Sequence, residues 1–310
     1  MTSESSRDLR GVYAAVLTPF TDALEPDLPR FVAHCRWLLA NGCDGLAPRG
    51  TTGEANSLSV AQRLAIIDAA ATAGLPLGKF IFGGGSCALA DAVTVTKAML
   101  AAGAGGALLL PPFYYKNPSE DGLFAFYSEV IERVGDDRLK IYLYHYPQLS
   151  AVPITLPLIA RLKSAYGAPI AGLKDSSGDW ANSAAILKAF PGFGVFTGTE
   201  VHLLANLRAG GVGCISATTN VLGPLAQPVY AGWRAADAEG RQETLTAARV
   251  IFQDYSLHAA LKEVMALITG DGAWRTLVPP NRPLAPAERA SLAQRLKALP
   301  QMQAILARAA

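Results

Sequence analysis

The sequence predicts an α/β fold: a (β/α)8 TIM barrel followed by additional C-terminal helices. Short apolar runs alternate with longer stretches of helical periodicity, and eight such runs occur between residues 12 and 216. The runs show little polar–apolar alternation, which is typical of parallel strands covered by helices on both faces. A doubly wound open sheet is the competing architecture. Its first strand usually leads into a glycine-rich phosphate loop, whereas the first run here ends in Thr18-Pro19-Phe20.

The individual elements follow from this alternation. The predicted strands are residues 12–17, 45–47, 79–82, 107–110, 140–144, 170–174, 194–197 and 213–216. The helices between them are predicted at residues 28–40, 59–73, 89–102, 123–134, 156–164, 180–190 and 201–209. The second of these helices opens with Ser59 and Gln62 at the spacing of a capping box, which satisfies backbone N–H groups of the first turn.

The alternation stops after residue 222. Residues 224–236, 239–267 and 286–309 have the periodicity of helices, with no strands between them. We therefore divide the chain into a barrel at 1–222, with a short polar N-terminal tail at 1–8, and a helical extension at 223–310. The extension is expected to pack on the barrel or to form a contact between subunits.

Composition argues against several classes of function. The chain has 310 residues and a net charge of +2, so its charge indicates neither a nucleic-acid partner nor an anionic membrane. No apolar run approaches the roughly 18 residues needed to cross a bilayer. The N-terminal residues also lack the apolar core of a signal peptide.

The cysteines and histidines carry no metal-binding pattern. The four cysteines are scattered, which predicts buried thiols in a reducing compartment and a cytoplasmic protein. They are Cys35, Cys43, Cys87 and Cys214. The four histidines show no metal-ligand spacing, so no metal site is expected.

Lys174 lies at the end of the sixth predicted strand, which begins at Ile170. A lysine at that place is costly to bury unless it is paired, solvated or neutral. A neutral lysine amine is a nucleophile that can form a Schiff base with a carbonyl substrate. A solvated residue at a strand end is the alternative, and Lys174 alone does not decide between the two.

Other polar residues also follow predicted strands, and functional residues of a TIM barrel collect at those ends. Thr51 and Thr52 follow the second strand and offer hydroxyls suited to a carboxylate, although an ordinary turn is the alternative. Tyr144 ends the fifth strand and could carry protons. Tyr115 belongs to an aromatic pair after the fourth strand, which could equally serve packing.

Four motifs carry a resemblance to a known family. They are GTTGE at 50–54, PSEDG at 118–122, the YxxP pattern at 144–147 and GLKDSSGD at 172–179. From Gly11 to about Arg282 the chain resembles, in motif order and spacing, the family of dihydrodipicolinate synthase and N-acetylneuraminate lyase. These are class I aldolases and lyases that form a Schiff base with pyruvate and other 2-keto acids.

The resemblance implies a role for each matching residue. Lys174 would form the Schiff base, and Tyr144 would move protons to and from the reacting atoms. Thr51 and Thr52 would bind the keto-acid carboxylate, and Thr51 would also link Tyr144 to Tyr115. Tyr115 matches the family tyrosine that reaches into a neighbouring subunit's site. A homodimer or homotetramer is therefore implied, with no cofactor beyond the covalent imine on Lys174.

Further positions match the family more loosely. Ile215 corresponds to an apolar residue near the bound keto acid. Gly198 and Glu200 occupy positions where the family's lyases contact a sugar-like tail. His145 replaces the usual asparagine beside the tyrosine, and it could contact substrate or could be a packed histidine with one hydrogen bond.

One departure from the family bears on the substrate. Dihydrodipicolinate synthases carry an arginine five residues after the strand-five tyrosine, where it binds the carboxylate of the aldehyde, but this chain has Leu149. We therefore expect a Schiff-base lyase or aldolase that cleaves, condenses or dehydrates pyruvate or a sugar-acid-like 2-keto acid. The alternative is a 4-hydroxy-tetrahydrodipicolinate synthase, which condenses pyruvate with an aldehyde in lysine biosynthesis. A metal-dependent aldolase and a non-catalytic keto-acid-binding barrel are the rival classes.

Overall fold

The structure, a computed structural model, describes residues 9–307. Over this range the chain forms one sheet of eight parallel strands. They are β1 (Gly11–Ala14), β2 (Gly45–Leu46), β3 (Ile81–Gly83), β4 (Gly106–Leu109), β5 (Ile141–His145), β6 (Ile170–Asp175), β7 (Gly194–Thr197) and β8 (Gly213–Ser216). The predicted polar tail at residues 1–8 lies outside the described residues.

Thirteen α-helices occur in the same part of the chain. Those up to residue 208 are α1 (Leu28–Ala40), α2 (Val60–Thr72), α3 (Leu89–Ala101), α4 (Glu120–Val134), α5 (Pro147–Ser150), α6 (Leu156–Tyr166), α7 (Trp180–Ala189) and α8 (Leu203–Arg208). The later ones are α9 (Thr219–Ala231), α10 (Ala238–Ile251), α11 (Leu257–Thr269), α12 (Pro286–Lys297) and α13 (Pro300–Leu306). The short α5 was not predicted, whereas α1 has the predicted bounds.

The sheet closes into a barrel. Its strand order is β2-β1-β8-β7-β6-β5-β4-β3, and the hydrogen-bonded neighbours in that order run parallel. The two ends of this order meet where Leu46 forms a parallel bridge with Phe80. Nearby, the Gly83 N–H donates to the Pro48 carbonyl at 2.8 Å. The predicted (β/α)8 barrel with additional C-terminal helices is confirmed.

Aromatic side chains fill the barrel beneath the strand ends. Tyr13 and Tyr142 pack edge to face on Phe196, with ring centroids 5.3 and 5.7 Å away. Glycines on neighbouring strands make this possible, because a Cβ on Gly45 would lie 2.3 Å from Tyr13 and one on Gly172 would lie 2.7 Å from Tyr142. Tyr142 precedes Tyr144 by two residues on β5, so the aromatic layer supports the residues at the strand ends from below.

The helical extension packs on the barrel. Val12 of β1 belongs to the same buried cluster as Leu245 of α10, Leu261 of α11 and Leu292 of α12. Helix α9 runs across residues 222 and 223, at the predicted boundary between barrel and extension. The division of the chain at that boundary stays a prediction.

Two predicted helices of the extension are wrong because each is divided. The stretch 239–267 forms α10 and α11, which are separated by the 3-10 turn Phe252–Asp254 and an extended Tyr255. Apolar periodicity continues across that break, so the sequence pattern does not reveal it.

The other divided stretch is 286–309, which forms α12 and α13. Pro300 begins α13, and proline disfavours the helical conformation in the residue before it. The last residues of the predicted helix, 308 and 309, lie outside the described part of the chain.

Three of the four cysteines are buried, and one is exposed. Cys35, Cys43 and Cys214 are buried free thiols as predicted, but Cys87 is exposed because it lies in the loop between β3 and α3. Between residues 9 and 307, no helix is both long and apolar enough to span a membrane.

Candidate active site

Lys174 and Tyr144 meet because their strands are adjacent and in register. The two residues are direct partners in the pairing of β5 with β6, so their side chains emerge on the same face of the sheet. Lys174 Nζ donates a hydrogen bond to the Tyr144 hydroxyl at 3.3 Å and lies 4.4 Å from the centre of the tyrosine ring. Both side chains are buried at the C-terminal end of the barrel.

Thr51 extends this contact to a third residue. It begins the 3-10 turn Thr51–Gly53 after β2, and its Oγ1 lies 3.3 Å from the Tyr144 hydroxyl. The three polar groups therefore form a hydrogen-bonded row from Thr51 through Tyr144 to Lys174. Hydroxyl groups can both donate and accept, so such a row can pass a proton between the lysine and the turn.

A cavity of about 540 Å³ opens beside these residues. Some of the predicted site residues line it, namely Thr51, Thr52, Tyr144, Lys174 and Gly198. Others do not contribute to its lining, namely Tyr115, His145, Glu200 and Ile215. The structure thus brings the proposed nucleophile, proton carrier and carboxylate-binding turn to one cavity.

The turn at residues 50–54 is held by a buried ion pair. The Glu54 carboxylate accepts a hydrogen bond from Lys262 Nζ at 2.7 Å, and both side chains are fully buried. It also accepts from the Val278 N–H and the Asn281 side chain, each at 3.1 Å. Glu54 itself has a φ of 53°, so the backbone of the turn is in the left-handed region where few non-glycine residues lie.

A second contact from helix α11 fixes the same turn. His258 Nε2 lies 3.0 Å from the Thr51 carbonyl oxygen, which can only accept, so Nε2 carries the hydrogen. His258 is four residues before Lys262, which places both side chains on one face of α11. The extension thus positions the threonine turn of the barrel.

The turn after β6 is also strongly hydrogen-bonded. The Asp175 carboxylate accepts from the Ser177 N–H at 2.9 Å, from Asn182 at 2.9 Å and from Ser183 at 2.7 Å. Gly198 must be glycine here, because a Cβ would lie 2.2 Å from the Ser176 hydroxyl. These contacts fix the backbone that follows Lys174.

Glu200 lies behind the cavity wall. It is fully buried, and its oxygens accept hydrogen bonds from Ser216 at 2.7 Å and from Thr218 at 2.6 and 2.8 Å. Arg249 Nε is 3.4 Å from the same carboxylate. The predicted contact between Glu200 and a sugar-like tail stays a prediction that this geometry does not favour.

His145 and Ile215 are likewise part of the packing. His145 Nδ1 accepts a hydrogen bond from the Ile154 N–H at 3.0 Å. Burial lowers the pKa of His145, and the charge of Asp175 opposes that change. This geometry favours the alternative of a packed histidine. Ile215 is buried in the barrel interior together with Tyr144.

Tyr115 does not line this chain's own cavity. It is 80% exposed in the loop after β4, and its ring packs edge to face on that of Tyr114 with centroids 5.4 Å apart. Thr51 is within hydrogen-bond distance of Tyr144, whereas no hydrogen bond between Thr51 and Tyr115 forms within the described chain.

Sequence reasoning missed several polar residues at the site, and three of them bear on its geometry and charge. They are Arg249, which lines the cavity, and His258 and Lys262, which hold the threonine turn. The available signal for the last two was the spacing of four residues between polar side chains on a mostly apolar helix. For Arg249 the sequence offers none. Across residues 9–307, no cluster of three or more His, Cys, Asp or Glu side chains is arranged to hold a metal ion.

Comparisons with known sequences identify the family of this chain. The profile of the Dihydrodipicolinate synthetase family matches residues 8–299. An uncharacterized DapA-like lyase of Chloroflexus aurantiacus is 33% identical over 285 residues, which cover 91% of this chain and 94% of that protein. A 4-hydroxy-tetrahydrodipicolinate synthase of Agrobacterium fabrum is 31% identical over 293 residues, covering 93% and 97% of the two chains.

Solved structures give the same result. The crystal structure of dihydrodipicolinate synthase from Agrobacterium tumefaciens superposes with a TM-score of 0.86 at 31% identity, covering 93% of this chain and 99% of that one. YagE from E. coli K12, a prophage protein of the dihydrodipicolinic acid synthase family in complex with pyruvate, has a TM-score of 0.86 at 27% identity, with 94% and 98% covered. The chain therefore belongs to the dihydrodipicolinate synthetase family and is a lyase.

Proposed function

We propose that this lyase forms a Schiff base between Lys174 and the carbonyl carbon of pyruvate or a longer 2-keto acid. The observation that carries the proposal is the contact at the barrel mouth. Lys174 is buried beside the cavity, and within the described chain its amine has no carboxylate paired with it and bonds to the Tyr144 hydroxyl. An amine placed next to a proton carrier suits nucleophilic attack on a carbonyl group.

The first steps would form the imine. The Lys174 nitrogen bonds to C2 of the keto acid, and the carbonyl oxygen takes up protons and leaves as water. The resulting C=N bond is protonated and acts as an electron sink. Tyr144 would supply and remove the protons, because its hydroxyl lies within hydrogen-bond distance of the lysine.

The later steps would use the same groups. Tyr144 would take the proton of the C4 hydroxyl while the electrons of the C3–C4 bond flow into the imine, and that bond breaks to release an aldehyde and leave an enamine. In the corresponding dehydration, C3 gives up a proton to form the enamine, and the C4 hydroxyl takes up a proton and leaves as water. Tyr144 would return a proton to the enamine carbon, and water would then release the product from Lys174.

Thr51 and Thr52 would hold the keto-acid carboxylate. Both line the cavity, and their turn is fixed from the extension by His258 and Lys262. A turn that is rigid before substrate arrives loses little entropy on binding, which favours orientation of the carbonyl toward Lys174.

The exposed Tyr115 supports an oligomer. The Tyr115 side chain is 80% exposed, and its neighbour Tyr114 is also largely exposed. Two adjacent exposed aromatic side chains are unusual on a free surface and suit a subunit contact. We propose a homodimer or homotetramer in which Tyr115 approaches Thr51 of another copy.

The free thiols Cys35, Cys43 and Cys214 support a reducing compartment, in agreement with the cytoplasm.

A 4-hydroxy-tetrahydrodipicolinate synthase is the second candidate, because a relative with that name is 31% identical over most of its length. Leu149 lines the cavity at the position where that reaction's family arginine is expected. Two assays separate these candidate functions. One measures pyruvate consumption with the aldehyde of lysine biosynthesis. The other measures pyruvate release and dehydration with a panel of 2-keto acids.

Borohydride reduction in the presence of pyruvate tests the Schiff base itself. We expect the intact mass to rise by one reduced pyruvyl group in the native protein and to stay unchanged in Lys174→Ala. Lys188→Ala, which removes an exposed lysine of α7, is the matched control and should retain the adduct. No adduct in the native protein, or an adduct that survives in Lys174→Ala, contradicts the proposal.

A further inference from the structure

Arg249 brings a second cation to the cavity of Lys174. It extends from helix α10 of the extension, and only 14% of its side chain is exposed. Its Nε and Nη1 atoms are buried and have no hydrogen-bond partner within the described chain. Buried donors of this kind cost free energy when they remain unpaired. The accessible part of the side chain lines the cavity and also forms no hydrogen bond to the described chain, so it is available to a group that the chain itself does not supply.

Glu200 does not supply the hydrogen-bond acceptor that Arg249 lacks. Its carboxylate lies 3.4 Å from Arg249 Nε, but its oxygens already accept short hydrogen bonds from Ser216 and Thr218. The ion pair with Glu200 therefore holds Arg249 at the cavity wall, although no well-formed hydrogen bond joins the two side chains. Arg249 keeps donors that can form charge-assisted hydrogen bonds with a ligand.

Arg249 lines the same cavity as the reacting residues Lys174 and Tyr144. Tyr144 stacks on Tyr146 with ring centroids 5.9 Å apart, and Tyr146 lines the same cavity. Burial raises the pKa of Tyr146 and the field of Tyr144 adds to this, whereas the positive charge of Arg249 acts in the opposite direction. The charge of Arg249 thus acts on the aromatic pair that Tyr146 forms with Tyr144.

The charge of the cavity wall has one sign. Lys174 is the lysine and Arg249 the arginine that line the cavity, and among the described residues no aspartate or glutamate lines it. The carboxylate of a 2-keto acid is already assigned to Thr51 and Thr52. A second positive group in the same cavity therefore suits a second negative group on the substrate.

We infer that Arg249 binds a carboxylate at the far end of the substrate, so that the enzyme acts on 2-keto diacids. This inference rests on the proposed Schiff-base chemistry at Lys174 and adds the substrate class. It applies to either direction of reaction, because condensation of pyruvate with an aldehyde that bears a carboxylate produces a 2-keto diacid. Leu149 is then explained, since the second carboxylate is bound from helix α10 instead of from the segment after β5.

Borohydride trapping with matched keto acids tests the assignment. 2-Oxoglutarate and 2-oxoadipate carry a terminal carboxylate, whereas 2-oxopentanoate and 2-oxohexanoate have the same chain lengths with neutral ends. In the native protein at least one diacid should be trapped at a concentration about 10- to 100-fold lower than its neutral counterpart, the range expected for hydrogen bonds to a charged group. Arg249→Met should abolish that preference, and Arg249→Lys should retain part of it.

Pyruvate and a second arginine provide the controls. Trapping by pyruvate should be unchanged in Arg249→Met, because pyruvate has no second carboxylate. If pyruvate is not trapped by the native protein, the Schiff-base proposal fails instead. Arg241→Met removes an arginine from the same helix whose ion pair with Asp237 is exposed, and it should keep the preference. Equal trapping of diacids and neutral keto acids by the native protein, or a preference that survives in Arg249→Met, overturns the inference.

Discussion

Lys174 and Lys262 are two buried lysines with contrasting surroundings. Each has its Nζ 4.4 Å from the centre of an aromatic ring, Tyr144 for Lys174 and Phe20 for Lys262. Lys262 also donates to the Glu54 carboxylate at 2.7 Å and to the Thr276 carbonyl at 2.8 Å. Lys174 donates to a tyrosine hydroxyl and faces a cavity.

This contrast shows that burial alone does not identify a nucleophilic lysine. Burial lowers the pKa of Lys262 to about 8, and the charge of Glu54 opposes that change, so the amine remains mostly protonated at neutral pH. A protonated amine with full hydrogen bonding has no lone pair for attack, and Lys262 serves to hold the threonine turn. The amine of Lys174 has a proton carrier beside it and room for a ligand, which are the conditions that nucleophilic chemistry needs.

The largest expected effect comes from removing the hydroxyl beside Lys174. Tyr144→Phe should slow the exchange of the pyruvate methyl protons with solvent deuterium by about 10²- to 10⁴-fold, since that exchange requires proton transfer at the imine. Proton NMR of pyruvate in deuterated buffer measures the rate. Tyr166→Phe, which alters a hydroxyl bonded to Glu132 on the outer helices, should leave the rate unchanged. A normal rate in Tyr144→Phe would remove Tyr144 from the mechanism.

The second-largest expected effect is a loss of stability when the Lys262 side chain is replaced. Lys262→Met should lower the free energy of unfolding by about 3–5 kcal/mol, because it leaves the Glu54 carboxylate buried without its counter-ion. Chemical denaturation measures the loss. Adding Glu54→Gln to Lys262→Met should recover part of it, since the buried charge is then gone. A loss below about 1 kcal/mol in Lys262→Met would mean that the ion pair does not anchor the turn.

His34 is a third buried base, and it sharpens the comparison because no acidic side chain between residues 9 and 307 is hydrogen-bonded to it. His34 is fully buried, and its Nε2 lies 2.9 Å from the Asn220 side-chain oxygen. Burial lowers its pKa from 6.5 to about 4, against the smaller opposing effect of that hydrogen bond. Between these two pKa values the unfolded chain binds more protons than the folded one. The stability due to neutral His34 is therefore present above about pH 6.5 and is lost as the pH falls toward 4.

The expected size of this loss is up to about 3 kcal/mol, and His34→Phe isolates it from other titrating groups. The difference in unfolding free energy between the native protein and His34→Phe should shrink by that amount from pH 7 to pH 4. Parallel pH profiles for the two proteins would show that His34 does not titrate differently on folding.

The fold and the reacting residues could be predicted because they depend on local pattern. Strand β6 was predicted at residues 170–174 and observed at Ile170–Asp175, since a short apolar run between turns sets both its ends. Once the strands of a barrel are in order, Lys174 and Tyr144 must become neighbours at its C-terminal end.

The surrounding contacts could not be predicted because they join distant parts of the chain. Lys262 bonds to Glu54 across 208 residues, and His258 bonds to Thr51 across 207. Their positions follow the break at Phe252–Asp254, which separates α11 from α10 and which the continuous apolar pattern conceals. Periodicity shows which face of a helix is apolar, but it does not show which loop that face will contact.

Peptide mapping after borohydride reduction with pyruvate tests the central claim most directly, because it compares the two buried lysines in one sample. We expect the reduced pyruvyl group on the peptide that contains Lys174 and an unmodified peptide containing Lys262. Modification of Lys262 or of another lysine in place of Lys174, or no modification at all, would contradict the account.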